Sequence, residues 1–290
     1  MLVSPVRDEY VIAGDLTFHY VQWGEQGPPV ICVHGITANA FSFQALADHL
    51  SSHFRIYAYD LRGRGDSDKP ETGYSIPIHA EDLANIVDAL GLEKPAVIGH
   101  SLGAMIALYF AAYYQEKLSK LVLIDAGGEL PWSGLEEQPA WLTASLSRLG
   151  TPVASFEEYV SRLKAAPFLG PYWSEYFDLY FRHDVYPQSD GSVISKGYPA
   201  GIREDQMYMY KADFRPDRLW SAVQVPALLL RAGQGLFTDS DQLLTETEAE
   251  RIRSGIPSCR YVNYPSLNHY TVVFNAGVGP ALDILHFLEE

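Results

Sequence analysis

Residues 96–103 read Ala-Val-Ile-Gly-His-Ser-Leu-Gly, and an apolar stretch from 104 to 114 follows them. The apolar run before the motif is typical of a strand, and the stretch after it is typical of a helix. Gly99 and Gly103 flank Ser101, and their lack of a side chain lets the strand and the helix approach closely. The pattern predicts a sharp strand-to-helix turn that presents the Ser101 hydroxyl as a nucleophile. The alternative is a glycine-rich connection without chemistry.

The rest of the chain alternates short strand-like runs with helical patterns. The strand-like runs are 30–33, 55–59, 96–98, 121–124, 227–230 and 260–264, and the helical patterns are 40–49, 78–90 and 104–114. Two further strand-like runs, 10–13 and 16–23, flank Gly14-Asp15 and predict a hairpin. This alternation predicts an α/β fold with a mostly parallel open sheet covered by helices on both faces. Ligands bind at the carboxyl edge of such sheets.

Residues 128–220 interrupt the alternation and are rich in aromatic residues. We interpret them as a helical cap inserted into a core formed by residues 1–127 and 221–290, because so long a connection is unusual. Tyr172, Tyr176 and Tyr180 recur at every fourth position, which predicts one face of a helix. We expect that face to border an apolar substrate pocket, although each aromatic residue could instead simply pack the cap on the core.

A serine hydroxyl is a weak nucleophile at neutral pH and needs a general base, an orienting acid and donors for the developing oxyanion. Three of the nine histidines, His183, His269 and His286, follow Ser101. His269 comes after a strand-like run and a short loop, where an imidazole is easily aimed at a site. His286 lies in a helical segment and His183 among the aromatic residues of the insertion. We therefore expect His269 to be the base.

With these motifs the chain resembles the α/β-hydrolase superfamily over essentially its full length. The matching residues are Val33-His34-Gly35-Ile36, the stretch Asp-Leu-Arg-Gly-Arg-Gly-Asp-Ser at 60–67, the Ser101 turn and Asn268-His269. The resemblance implies the chain order nucleophile, acid, histidine, and an oxyanion hole formed by the backbone N–H groups of Ile36 and Leu102. Haloalkane dehalogenases and epoxide hydrolases of this fold have an aspartate as nucleophile, so this chain, with Ser101 at that position, departs from their pattern.

The resemblance implies two places for the acid. Relatives usually carry it shortly after the penultimate strand, but the residues after 225–230 read Arg-Ala-Gly-Gln-Gly-Leu, and the next carboxylates are Asp239 and Asp241. Other relatives carry it at the end of the strand that follows the turn helix. Here Asp125 ends that strand, 24 residues after Ser101. This separation favours Asp125, and Asp239 and Asp241 stay open.

Composition restricts the function classes. The chain has 290 residues, is 47% hydrophobic and carries a formal net charge of −15, which disfavours nucleic-acid binding and attraction to anionic membranes. The first ten residues are partly charged, and no run approaches the roughly eighteen apolar residues of a membrane span, so we expect a cytoplasmic protein. Cys32 and Cys259 are too few for a disulfide framework or a metal site, and we expect no metal or other cofactor.

Together these features predict a cofactor-independent serine hydrolase acting on a small to medium, largely apolar carboxylic ester, with lactones and thioesters as variants. The expected partner is the small-molecule substrate, and the oligomeric state does not follow from the sequence. Two alternatives stay open. One is a hydrolase or lyase of the same fold that cleaves a carbon–carbon bond, and the other is a ligand receptor or signalling adaptor with slow turnover.

Overall fold

A computed structural model describes residues 2–211, 214–275 and 279–290. The strands are β1 (Arg7–Ala13), β2 (Leu16–Trp23), β3 (Pro29–Val33), β4 (Arg55–Tyr59), β5 (Ala96–His100), β6 (Leu121–Ile124), β7 (Val185–Pro187), β8 (Val193–Ser195), β9 (Ala227–Ala232) and β10 (Cys259–Tyr264). The α-helices are α1 (Gln44–Leu50), α2 (Ile76–Ala89), α3 (Leu102–Tyr113), α4 (Ala140–Ser147), α5 (Phe156–Lys164), α6 (Glu175–His183), α7 (Pro199–Met209), α8 (Asp217–Trp220), α9 (Glu246–Gly255), α10 (Thr271–Phe274) and α11 (Pro280–Glu289).

Eight strands form one sheet in the order β1-β2-β4-β3-β5-β6-β9-β10. β1 and β2 pair as an antiparallel hairpin around Gly14, as predicted, and β2 is antiparallel to β4. The remaining pairs from β4 to β10 are parallel. β5, β6 and β9 are buried along their whole length, as expected of strands covered on both faces. The predicted fold class, an α/β fold with a mostly parallel open sheet, is confirmed.

Helices pack against this sheet in two groups. In one group, α2 contacts α3, α3 contacts α8, and α8 contacts α9. In the other, α1 contacts α10 and α11, and α11 contacts β9. Their apolar faces and the strands form one continuous core. Within the described ranges, no helix combines the length and the apolar character needed to cross a bilayer.

The described residues between β6 and β9 form the α-helices α4 to α8 and the two-stranded antiparallel hairpin of β7 and β8. The hairpin was absent from the sequence prediction, because strands of three residues are too short to show a period of two. This insertion contacts the loops that follow β3 and β4: Asn39 donates to the Tyr180 carbonyl, and Tyr198 N–H donates to the Gly63 carbonyl. The division into core and cap at residues 127/128 and 220/221 stays a prediction.

Candidate active site

Ser101 lies between β5 and α3 with φ 59° and ψ −123°, a conformation that a non-glycine residue rarely adopts. The flanking glycines explain how the turn is formed. A Cβ at Gly103 would lie 1.9 Å from the Val33 carbonyl oxygen, and one at Gly99 would lie 2.2 Å from the Gly103 carbonyl oxygen. Any larger residue would push α3 away from the sheet. The strained turn leaves Ser101 partly exposed at the carboxyl edge of the sheet.

His269 follows β10 in a loop that several hydrogen bonds hold in place. The Asn268 side-chain oxygen accepts the backbone N–H groups of Tyr270 and Thr271, at 3.0 and 2.9 Å. The carbonyl of His269 contacts Nε2 of His100, the residue before the serine, at 2.9 Å. This contact ties the histidine loop to the serine turn.

Asp125 is the carboxylate that contacts His269. It directly follows β6, has a φ of 53° and is 1% exposed. Its Oδ2 lies 2.7 Å from His269 Nδ1, and its Oδ1 accepts the backbone N–H of Ala232 at 2.9 Å. The two alternative carboxylates lie elsewhere: Asp239 is exposed, and Asp241 accepts the N–H groups of the loop residues Leu236 and Phe237.

Burial sets the protonation of this pair. It lowers the pKa of His269 to about 3, so the imidazole is neutral at neutral pH. It raises the pKa of Asp125, and the Ala232 N–H and the Arg231 charge act in the opposite direction. A carboxylate oxygen accepts the proton on Nδ1, which leaves the Nε2 lone pair free to accept another. An imidazole held in this way can accept a proton at Nε2.

The loop after β3 passes close to Ser101, and its residue Ile36 lines the same cavity as Ser101. Leu61 N–H donates to His34 Nε2 at 3.0 Å, so the other ring nitrogen, Nδ1, carries the proton and donates to the Gly35 carbonyl at 2.8 Å. A Cβ at Gly35 would lie 3.1 Å from the Ser101 Cβ, which shows how closely the loop approaches the serine. Among the described residues, the N–H groups of Ile36 and Leu102 have no hydrogen-bond acceptor.

A fully buried arginine supports the same loop. Arg64 is 0% exposed and donates to the Ile36 carbonyl at 3.0 Å and to Asp205 of α7 at 2.6 Å. Asp205 also contacts His79 Nε2 at 3.0 Å. The guanidinium therefore links the candidate oxyanion loop to the insertion.

Ser101 and His269 line one cavity of about 60 Å³ under the insertion. Ile36 and Leu102 also line it, as do apolar side chains from both parts of the chain, among them Leu130, Leu142 and Met209. Trp141 covers His269, with their ring centroids 5.4 Å apart. Among the described lining residues there is no Asp, Glu, Lys or Arg.

The three tyrosines expected to border the pocket do not share one helical face. Tyr172 ends a 3-10 turn, Gly170–Tyr172, and α6 begins only at Glu175, so the single-helix prediction is wrong. The structure places Tyr180 in the lining of the Ser101 cavity. Tyr176 donates to Asp48 at 3.1 Å, Tyr172 accepts from Gln234 at 2.8 Å, and neither is among the lining residues. A period of four identifies a face but not what that face contacts.

Sequence reasoning missed Ser42. It lies in the 3-10 turn Ala40–Phe43, is 2% exposed and lines the Ser101 cavity. Its Oγ has no hydrogen-bond partner among the described residues. No sequence pattern singles out this serine, because its burial depends on contacts with distant elements.

The carboxylates near β1 and β2 form an ion pair rather than a second reactive site. His19, Asp60 and Asp66 are near enough to one another to share a metal ion. However, both ring nitrogens of His19 already contact carboxylates, Nδ1 on Asp60 and Nε2 on Asp8, each at 2.7 Å. Burial lowers the pKa of His19, but these two carboxylates raise it to about 9, so the ring is an imidazolium without a free lone pair.

The fold and the Ser101 turn define an α/β protein with a serine at positive φ at the carboxyl edge of its sheet. The chain belongs to the alpha/beta hydrolase fold family, whose pattern matches residues 28–276. It superposes on the crystal structure of an E-2-(acetamidomethylene)succinate hydrolase with a TM-score of 0.83 and 23% identity, covering 98% of this chain and 99% of the other. A likeness at that identity shows the shared fold.

The sequence relatives match either a shorter part of this chain or most of it at lower identity. A 2-(acetamidomethylene)succinate hydrolase of Mesorhizobium japonicum is 34% identical over 148 residues, 51% of this chain and 52% of the relative. A 3-hydroxybutyrate-oligomer hydrolase of Cupriavidus necator is 27% identical over 267 residues, 86% of each chain. An uncharacterized Mycobacterium tuberculosis protein is 34% identical over 102 residues, which are 35% of this chain and only 30% of the relative's length.

Proposed function

We propose that this protein is a cofactor-independent serine hydrolase that cleaves neutral, largely apolar carboxylic esters of small to medium size. The observation that carries the proposal is the 2.7 Å contact between His269 Nδ1 and Asp125 beside a cavity that His269 shares with a serine at positive φ. In a Ser-His-Asp triad the acid holds the imidazole in the tautomer that accepts the serine proton. The names of the two hydrolase relatives are consistent with hydrolytic chemistry.

The reaction proceeds in two halves. Ser101 Oγ attacks the ester carbonyl while His269 Nε2 takes its proton, and the N–H groups of Ile36 and Leu102 stabilise the oxyanion. The carbon–oxygen bond to the alcohol then breaks, and His269 returns the proton to the leaving alcohol. Water, deprotonated by His269, attacks the acyl carbon, the bond from that carbon to Ser101 Oγ breaks, and His269 returns the proton to Oγ, which releases the acid and free Ser101.

The cavity lining favours a neutral substrate. Charged groups bind in apolar surroundings only when an opposite charge or several hydrogen bonds compensate them. Among the described lining residues no cation is available to a carboxylate. A succinate, as in the name of one relative, would therefore lack a partner here, whereas an ester of the kind that joins oligomers of a hydroxy acid would not need one.

A fluorophosphonate probe and a panel of p-nitrophenyl esters test this proposal. We expect rapid labelling and turnover near about 1 to 1000 per second in the wild type. Ser101→Ala should abolish labelling and lower kcat by up to about a million-fold. Ser258→Ala, at an exposed position remote from Ser101 in the fold, is the matched control. Labelling without turnover would instead support a slow ligand receptor, and an active Ser101→Ala variant would overturn the proposal.

A further inference from the structure

We propose that a second cavity beside Ser101 binds an apolar arm of the substrate, an inference that rests on the proposed ester hydrolysis. We call this cavity the side chamber. It lies between α4, α5 and α6 and has a volume of about 270 Å³, compared with about 60 Å³ for the Ser101 cavity. Four residues line both cavities and form the wall between them: Thr37, Ser145, Tyr180 and Tyr270.

The Ser101 cavity is much smaller than the side chamber behind its wall. The Ser101 cavity, at about 60 Å³, has less than a quarter of the volume of the side chamber, at about 270 Å³. A substrate with a long chain has to extend beyond the Ser101 cavity, and the side chamber is the larger space directly behind its wall.

Two side-chain hydrogen bonds join the four wall residues to one another. Ser145 Oγ and the Tyr270 hydroxyl are 2.5 Å apart, and Ser145 Oγ also donates to the Trp141 carbonyl at 3.0 Å. Because a serine has a single hydroxyl proton, Tyr270 is the donor in the first pair. If the two side chains separate, Ser145 keeps its bond to Trp141 and a single neutral hydrogen bond is lost. The second wall contact, from the Tyr180 hydroxyl to the Thr37 carbonyl, is 3.3 Å long.

The lining of the side chamber suits an uncharged chain. Its apolar part includes Val153, Leu163, Ala166, Phe168, Leu169 and Phe181. Arg148 also lines it, but its charge is compensated by Asp184 at 2.5 Å, and it donates to the Thr37 carbonyl and to Ser195 as well. Arg162 at the outer rim is paired with Glu158 at 2.5 Å. The cations are thus already partnered, and the space they leave favours methylene groups over a carboxylate.

Chain-length profiles test the assignment. Burial of each methylene should raise kcat/KM by up to about fourfold, so wild-type kcat/KM should increase from p-nitrophenyl acetate to p-nitrophenyl octanoate. Ala166→Phe fills the side chamber and should lower the octanoate-to-acetate ratio of kcat/KM at least about tenfold, which corresponds to roughly two methylenes. The matched control is Ala165→Phe, because the adjacent Ala165 is exposed and does not line the side chamber. Ala144→Phe on α4 is a second filling variant if Ala166→Phe folds poorly.

Two substrate series distinguish whether the side chamber binds the acyl arm or the alcohol arm of the ester. An effect of Ala166→Phe in the p-nitrophenyl series assigns the side chamber to the acyl arm, and an effect among ethyl to octyl acetates assigns it to the alcohol arm. Equal ratios in the wild type and both filling variants, in both series, overturn the inference.

A binding measurement separates this inference from the proposed reaction. Thermal stabilisation of the Ser101→Ala protein by p-nitrophenyl octanoate reports binding without turnover. If the wild type cleaves no ester but filling the side chamber abolishes this stabilisation, the proposed reaction fails and the binding site stands. If esters are cleaved and filling affects stabilisation by neither p-nitrophenyl octanoate nor octyl acetate, the binding site is refuted and the reaction stands.

Discussion

Replacement of Asp125 by asparagine should reverse the tautomer of His269. Asp125 Oδ1 accepts the Ala232 N–H at 2.9 Å, while Oδ2 contacts His269 Nδ1 at 2.7 Å. An asparagine offers one oxygen and one NH2 group in the same geometry. The buried Ala232 N–H requires an acceptor and holds the amide oxygen on its side, so the NH2 group faces Nδ1. Nδ1 must then accept, and the ring proton moves to Nε2, where it blocks transfer from Ser101.

This defect in a Ser-His-Asp triad costs about ten-thousand-fold in kcat. That loss corresponds to about 5.4 kcal/mol of transition-state stabilisation. Stability should change much less, because the substitution is nearly isosteric and keeps the Ala232 hydrogen bond. Steady-state hydrolysis of p-nitrophenyl acetate measures kcat, and thermal unfolding of the same samples checks the fold.

The matched control is Asp239→Asn, the same chemical change at an exposed loop carboxylate. We expect kcat within about twofold of the wild type, because surface substitutions away from a site usually have small effects. If Asp125→Asn keeps more than about a tenth of the wild-type kcat, the tautomer argument is refuted, since that loss is far below the expected scale. A larger loss in Asp239→Asn would move the acid to the loop after β9.

A further prediction concerns stability. Burial lowers the pKa of His19, but the carboxylates of Asp60 and Asp8 raise it to about 9. The His19 ion pair therefore contributes its full stabilisation below about pH 6.5, and this contribution is lost as the pH rises through 9. The expected loss in the free energy of unfolding is on the order of 3 kcal/mol. Urea unfolding from pH 6 to 10 should show that decline in the wild type, and an equal decline in His19→Gln would contradict it.

Local patterns in the sequence were sufficient for the elements that carry the candidate site. The turn at Ser101 depends on two glycines and on apolar runs directly beside it, so all the relevant contacts lie within a few residues. The hairpin of β1 and β2 and the alternation of strands and helices are likewise short-range, and they predicted the fold class. The sequence also predicted that four residues lie at one edge of the sheet, because each directly follows a strand. These residues are Ser101, Asp125, Ile36 and His269.

Contacts between distant residues required the tertiary structure. Asp125 and His269 are 144 positions apart, and the sequence left three carboxylates open, because no local pattern shows which loop reaches the imidazole. The same reason explains the contact of Tyr176 with Asp48, the buried bond between Arg64 and Asp205, and the burial of Ser42. Residue spacing determines which side chains share a face of one element. What covers that face, and whether a polar group there finds a partner, is decided only when elements far apart in the chain pack together.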